Sequence, residues 1–442
     1  MGELNKLSAF DAVNGIRTKR FTSQQLMADC ITRIEKREPS VRAWAHFDPE
    51  HAMAEAKKAD QKQDHGQRLG PLHGIPVGIK DVIDAKGMPG ENGSQIFANR
   101  VPEEDSKAVT QLKNAGAIIM GKTVTTEMAN LAPSKTRNPH DLKRSPGGSS
   151  SGSAASVADF HVPLALGTQT GGSVIRPASF NGVHGLKPTV GTISRNGMLL
   201  QSHTLDTIGV YARNLVDLAI INNCLIDENA DATLEEILEQ GSKVFKNWVK
   251  TSETPKFAFL ETPAWPEADI GAKNAIETAI TSLSSACQRE RLPDPFNKII
   301  DYHAAVFAAE NSHYYGPFLD NHSELLSEKL RDRLIVSKTT LASEYIAALN
   351  ARDKIYHLLE ALLDDYDAVL CLAATGAAPI GFETTGSAIF NGLWTYLGVP
   401  CLSLPLLTIE KMPLGLQLVG KRGDERKLFA AANWIENHLK AS

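Results

Sequence analysis

The chain has 442 residues, 42% of them hydrophobic and 22% charged, and a formal net charge of −5. That is ordinary globular usage, with ample length to bury a large core. It carries no dense Lys/Arg block, which argues against a nucleic-acid surface, and no apolar run long enough to cross a bilayer.

The N-terminal stretch MGELNKLSAFDAVNGIRTKR has no apolar h-region, so no secretory leader is read there. Residues 22–36 are predicted to be a helix that Ser23 can cap, with Leu26, Cys30 and Ile34 recurring on one face. Residues 51–64 read as a charged, Ala-rich, exposed helix. The run GIPVGIKDVI, from Gly74 to Ile83, is strand-like, broken by Gly and Pro, and has Lys80 inside it. A helix over 106–115 then precedes a buried strand at Ala117–Met120. Helix followed by strand points to an α/β plan with some parallel pairing.

Two Gly-rich segments follow, SPGGSSSGS at 145–153 and a second across 167–191, separated by an Ala-rich helical stretch that ends in VPLAL. From about 212 to 365 the pattern is mainly helical. Strands are expected at Asp367–Ala374 and at 413–419, and a terminal helix from about 424. There is no internal repeat and no polar linker long enough to divide the chain, so 1–442 is read as one domain. The five cysteines, Cys30, Cys224, Cys287, Cys371 and Cys401, are odd in number and form no CxxC pair. They read as reduced thiols of a cytoplasmic protein, with no disulfide frame and no metal site.

Either Gly-rich segment by itself is compatible with a linker or a tight turn. SPGGSSSGS, however, is short and enters a helix at once, where backbone N–H groups can meet an anion. It is not a P-loop, because no lysine follows the glycines. It matches GxSxG formally, with Ser150 as nucleophile, but a polar loop stands upstream where that motif needs a strand. A third reading makes Ser149 a relay for a nucleophile elsewhere. The second segment, Gly167-Thr-Gln-Thr-Gly-Gly-Ser173, offers that nucleophile. Its glycines allow successive N–H groups to approach one oxyanion.

Taken together, the Gly74–Ile83 run with Lys80, the SPGGSSSGSA block, the GTQTGGSVIRPASFNGVHGLKPT block and the tail Pro413–Gly420 with Gln417 resemble the amidase signature family. The likeness is strongest over about 70–215, and the helical region at about 220–365 is where such proteins diversify. The resemblance implies a single large mixed β-sheet covered on both faces by helices. It implies amide hydrolysis with Ser173 as nucleophile, Ser149 as a bridging serine on a cis peptide after Gly148, and Lys80 as the terminal base. The N–H groups of Thr170, Gly171, Gly172 and Ser173 become the oxyanion hole. Neither a metal nor a cofactor is implied.

The chemistry is coherent. A serine hydroxyl attacks only once a base takes its proton, and a protonated lysine cannot be that base. Burial in an apolar run disfavours the ammonium form. An intervening hydroxyl can accept one proton and donate another. Beyond the nucleophile stands Arg176. With Gln169 in place of the Asp frequent in this family, Arg176 resembles the malonamidase branch, in which an arginine grips a substrate carboxylate. A small acidic amide is therefore the expected substrate, with Arg176 as its anchor or as a structural arginine paired inside the protein. The remaining readings are the glutaminase subunit of a tRNA-dependent amidotransferase, which would need protein partners, and a silent scaffold of the same fold. A homodimer is left open.

Overall fold

The computed structural model describes residues 3–226 and 254–441. Eleven strands lie among them: β1 (Trp44–Phe47), β2 (Pro76–Lys80), β3 (Ile118–Thr123), β4 (Leu164–Gln169), β5 (His184–Lys187), β6 (Thr207–Ala212), β7 (Phe257–Leu260), β8 (Cys287–Glu290), β9 (Ala368–Leu372), β10 (Cys401–Ile409) and β11 (Met412–Val419). They form one sheet in the order β1-β3-β2-β4-β6-β5-β10-β11-β9-β7-β8. The sheet is mixed. β2 runs parallel to both β3 and β4, and β7 runs parallel to β8 and β9, whereas β4, β5, β6, β10 and β11 join antiparallel.

Every residue of β2, β3, β4, β5, β6, β7 and β9 is buried. Successive strand residues face opposite sides, so burial along a whole strand means that both faces of the sheet are covered. Helices do the covering. Ser151–Ala158 packs on β4, Leu215–Leu225 on β6, Ile175–Asn181 on β10 and β11, and Ile270–Leu283 on β10. A second apolar cluster, with Phe296, Tyr356, Trp394 and Tyr396, forms where the helices Ile299–His322, Ala342–Asp365 and Ile389–Leu397 meet β9.

The local reading holds for the first helices, with one correction. The helix expected at 22–36 spans Ser23–Val41, and its cap is Thr22, not Ser23. Thr22 Oγ1 accepts the Gln25 N–H and Gln25 Oε1 accepts the Thr22 N–H, a reciprocal capping box. Ser23 is instead buried, and its hydroxyl donates to the Gly74 carbonyl at 3.1 Å. The charged helix runs from Pro49 to Asp64, capped by Asp48 with Pro at its first turn. The helix at Lys107–Asn114 and strands β3, β9 and β11 fall where periodicity places them.

The expectation of a mainly helical stretch from 212 to 365 needs correcting. β7 and β8 lie inside it. β7 is only the four residues FAFL, and β8, CQRE, is a sheet edge with Gln288 and Arg289 exposed. Neither is long enough to show a period of two against flanking helices. The part of that stretch at 227–253 lies outside the described residues. No helix among the described residues is long and apolar enough to cross a membrane.

Candidate functional site

Lys80 closes β2 at the middle of the parallel part of the sheet, and its side chain is wholly buried. Its Nζ lies 2.6 Å from Ser149 Oγ and 2.7 Å from Thr168 Oγ1. None of its hydrogen-bond partners is a carboxylate. Burial pushes the Lys80 amine well below the usual lysine range, and the charge of Asp206 opposes that shift only in part. A neutral amine has a lone pair for one hydroxyl proton and N–H groups for a second oxygen, which is what Ser149 and Thr168 offer.

Ser149 is brought to Lys80 by the Gly-rich loop that enters the helix Ser151–Ala158. The Gly148–Ser149 peptide is cis. The loop is fastened on each side of that bond. Arg176 Nη2 donates to the Gly148 carbonyl at 2.7 Å, and the Thr126 N–H donates to the Ser149 carbonyl at 3.1 Å. Ser150, which fits the GxSxG pattern, is otherwise engaged. Its buried hydroxyl donates to the Thr168 carbonyl and accepts the Thr168 N–H, both at 3.2 Å.

The second Gly-rich loop leaves the end of β4 and turns into the helix Ile175–Asn181. Gln169 organises the turn: its Oε1 accepts the N–H groups of Val174 at 2.8 Å and Ile175 at 3.0 Å. Two backbone donors identify that atom as the amide oxygen, so Nε2 is the group that donates to Thr395 Oγ1 at 2.9 Å. The N–H groups of Gly171, Gly172 and Ser173 donate to no acceptor among the described residues. Ser173 is half-buried, and its carbonyl receives the Tyr211 hydroxyl at 3.1 Å. Its own hydroxyl forms no hydrogen bond among the described residues. The Lys80–Ser149 link is thus made in the structure, and a Ser149–Ser173 link is not.

Thr170 is held from beneath. Its hydroxyl donates to Asp206 Oδ1 at 2.5 Å and accepts from Gln201 Nε2 at 2.7 Å. Asp206 also accepts the N–H groups of Gln201 and Ser202, yet burial pushes its carboxyl up to about 6. On another side His303 Nε2 lies 3.1 Å from the Thr170 carbonyl. Burial pushes its imidazole down to about 4, and with a carbonyl as partner Nε2 is the nitrogen that carries hydrogen. Sequence reasoning misses Thr168, Asp206, His303 and Thr395. No local motif marks them, since all but Thr168 come from other segments.

Arg176 is 5% exposed and sits in the first turn after the glycine loop. Its Nη2 bonds the Gly148 carbonyl and Thr385 Oγ1, the latter at 3.2 Å, while Nε has no partner. No carboxylate pairs with it among the described residues, and burial lowers its guanidinium to about 10. The arginine therefore ties the two Gly-rich loops together and keeps an unneutralised charge beside them.

The chain resembles known proteins along nearly its whole length. The family model described as Amidase matches residues 25–429. A glutamyl-tRNA(Gln) amidotransferase subunit from Natranaerobius thermophilus is 31% identical, over 99% of this chain and 96% of its own. A crystal structure of an amidase superposes with a TM-score of 0.87 at 28% identity, covering 98% of this chain and 99% of that one. The peptide amidase of Stenotrophomonas maltophilia does so with a TM-score of 0.81 at 27% identity, covering 98% and 97%.

Proposed function

The chain belongs to the amidase family, and we propose that it cuts a carboxamide C–N bond through an acyl-enzyme on Ser173. The observation that carries the proposal is the buried Lys80 amine 2.6 Å from Ser149 Oγ, a base already joined to its relay.

In this reading the Ser173 Oγ–H proton passes to Ser149 Oγ as the Ser149 proton passes to Lys80 Nζ. A new Oγ–C bond forms, and the carbonyl oxygen becomes an anion facing the N–H groups of Gly171, Gly172 and Ser173, with that of Thr170 as the fourth donor. Collapse of the adduct breaks the C–N bond, and the relay returns the proton to the departing ammonia or amine. Water then enters by the same relay and releases the acid. Lys80 has to be neutral at the start, which its burial favours.

For substrate we propose a small acidic amide of the malonamate type, its carboxylate held by Arg176. Support comes from a buried guanidinium that has no carboxylate of its own and an unbonded Nε. A second reading, the glutaminase subunit of a tRNA-dependent amidotransferase, is favoured by the name of the 31%-identical relative. We also assign the chain to the cytoplasm, on its five free cysteines.

One assay separates these readings. Malonamate, L-glutamine and benzamide are offered side by side to the isolated chain and to Ser173→Ala. Malonamate hydrolysis that vanishes in Ser173→Ala is the expected result. Unchanged turnover in Ser173→Ala would remove the nucleophile. Glutamine cleavage that appears only with added protein subunits would favour the second reading.

A further inference from the structure

We infer that Gln169, Thr395 and His303 are positioning residues that turn two successive peptides of the glycine loop so that their N–H groups stay available to the substrate oxygen. The inference rests on the amide-cleaving reading above. In a trans peptide the carbonyl of one residue and the N–H of the next point to opposite sides of the plane, and among the described residues only Gly148–Ser149 is cis. Fastening a carbonyl therefore aims the N–H that follows it.

Three carbonyls in a row are fastened in this way. His303 Nε2–H holds the Thr170 carbonyl at 3.1 Å. Thr395 Oγ1 holds the Gly171 carbonyl at 2.8 Å. The Arg176 N–H holds the Gly172 carbonyl at 3.0 Å, as part of the first helical turn. The N–H groups opposite these carbonyls are those of Gly171, Gly172 and Ser173, the ones left without an acceptor.

Gln169 keeps the Thr395 proton for a backbone carbonyl. A threonine hydroxyl has one proton, and that of Thr395 has two acceptors within reach, Gly171 O at 2.8 Å and Asn391 O at 3.0 Å. Gln169 Nε2 donates to the same hydroxyl oxygen, so Thr395 cannot give its proton to residue 169. A carboxylate at 169 would still accept the Val174 and Ile175 N–H groups, but it would draw the Thr395 proton to itself and release the Gly171 carbonyl. The amide thus matches the donor pattern of Thr395, and the two residues work as one chain of hydrogen bonds from β4 to the helix Ile389–Leu397.

The test uses the full chain with Thr395→Val, Thr395→Ser, Gln169→Glu, His303→Phe and Ser173→Ala. Two rates are read: kcat and KM for malonamate, and the second-order rate of Ser173 labelling by a fluorophosphonate, whose P–O oxygen occupies the same N–H groups whatever the natural substrate is. Removing an oxyanion donor outright lowers kcat by about 10²–10³-fold. Misaiming one should cost about 10-fold to 10²-fold in kcat and in labelling rate, with KM nearly constant, in Thr395→Val, Gln169→Glu and His303→Phe. Thr395→Ser, which keeps the hydroxyl, should recover most of the loss. Wild-type kcat and labelling in Thr395→Val and Gln169→Glu, with Ser173→Ala inactive, would overturn the inference and leave the nucleophile standing. Equal losses in Thr395→Val and Thr395→Ser would overturn it too, by showing a packing effect. Activity retained in Ser173→Ala would overturn the underlying reading, and the inference with it.

Discussion

Lys80 Nζ stands 2.6 Å from Ser149 Oγ in a wholly buried setting that gives the lysine hydroxyl and carbonyl partners but no carboxylate. A lysine so placed titrates below its ordinary range, chiefly because burial penalises the ammonium, with Asp206 pulling the other way. If the neutral amine is the base, kcat/KM for amide cleavage rises with pH and levels off once Lys80 has lost its proton. That inflection should fall well below 10.5, the ordinary lysine value. Lys80→Met should lower kcat by about 10²–10⁴-fold, the usual worth of a positioned general base. A pH–rate profile on wild type checks the first statement, and an acid limb at the ordinary lysine value would contradict it.

The two loop glycines differ in what they tolerate. A Cβ on Gly172 would stand 2.4 Å from Asn391 Oδ1, whose side chain is held by bonds from its Nδ2 to Ala373 O and Gln417 Oε1. A Cβ on Gly171 would meet nothing nearer than Ala388 Cβ at 3.6 Å, and neither glycine has a positive φ. Gly172→Ala should therefore destabilise the fold by about 1–3 kcal/mol through overpacking. Gly171→Ala should stay near wild type in urea unfolding. Equal midpoints for the two variants would show that Asn391 yields without cost.

What can be read in the sequence follows from where the chemistry is written. Lys80, Ser149 and Ser173 lie in segments whose composition departs from their surroundings, a lysine inside an apolar run and serines among glycines. The structure puts two of the three in contact. His303, Thr395 and Asp206 lie in ordinary helical or loop sequence, and only tertiary packing carries them to the glycine loop. The sheet divides in the same way. β2 and β9 are apolar runs buried on both faces and stand out, whereas β4, whose second half is Gly-Thr-Gln, and β8, a polar four-residue edge, do not. The cap of the helix Ser23–Val41 sits one residue before the position that sequence alone suggests. Thr22 and Ser23 are both capping types; Thr22 closes a box with Gln25, while the Ser23 hydroxyl is taken by Gly74, far along the chain.

Arg176 makes two demands that one substitution can separate. Its Nη2 supports the Gly148 carbonyl beside Ser149, while its charge has no protein counter-ion among the described residues. Arg176→Lys keeps the charge but loses the planar fork; Arg176→Gln keeps N–H donors but loses the charge. If the charge holds a substrate carboxylate, Arg176→Gln should raise KM for malonamate by about 10-fold or more, the cost of a lost charge-assisted hydrogen bond of about 1.5–3 kcal/mol, and leave KM for benzamide nearly unchanged. An equal loss on both substrates would make Arg176 a brace for the Ser149 loop.

Two titrating groups that hold Thr170 pull stability in opposite directions with pH. Asp206 has its carboxyl raised from 3.8 to about 6 by burial, so between those values the folded chain binds more protons than the unfolded one. Its contribution to stability is therefore lost as pH rises through that window. His303 is lowered from 6.5 to about 4, so there the unfolded chain binds more protons, and stability falls as pH drops from about 6.5 toward 4. The two windows overlap and largely offset each other in the wild type. Asp206→Asn removes the first term. Its unfolding free energy should then climb more steeply than wild type between pH 4 and pH 6, by up to about 1.4 kcal/mol per pH unit. His303→Phe should tilt the curve the other way. Urea unfolding at pH 4, 5, 6 and 7 measures all three slopes. Parallel curves for the three proteins would mean that neither group titrates at an altered pKa in the folded state.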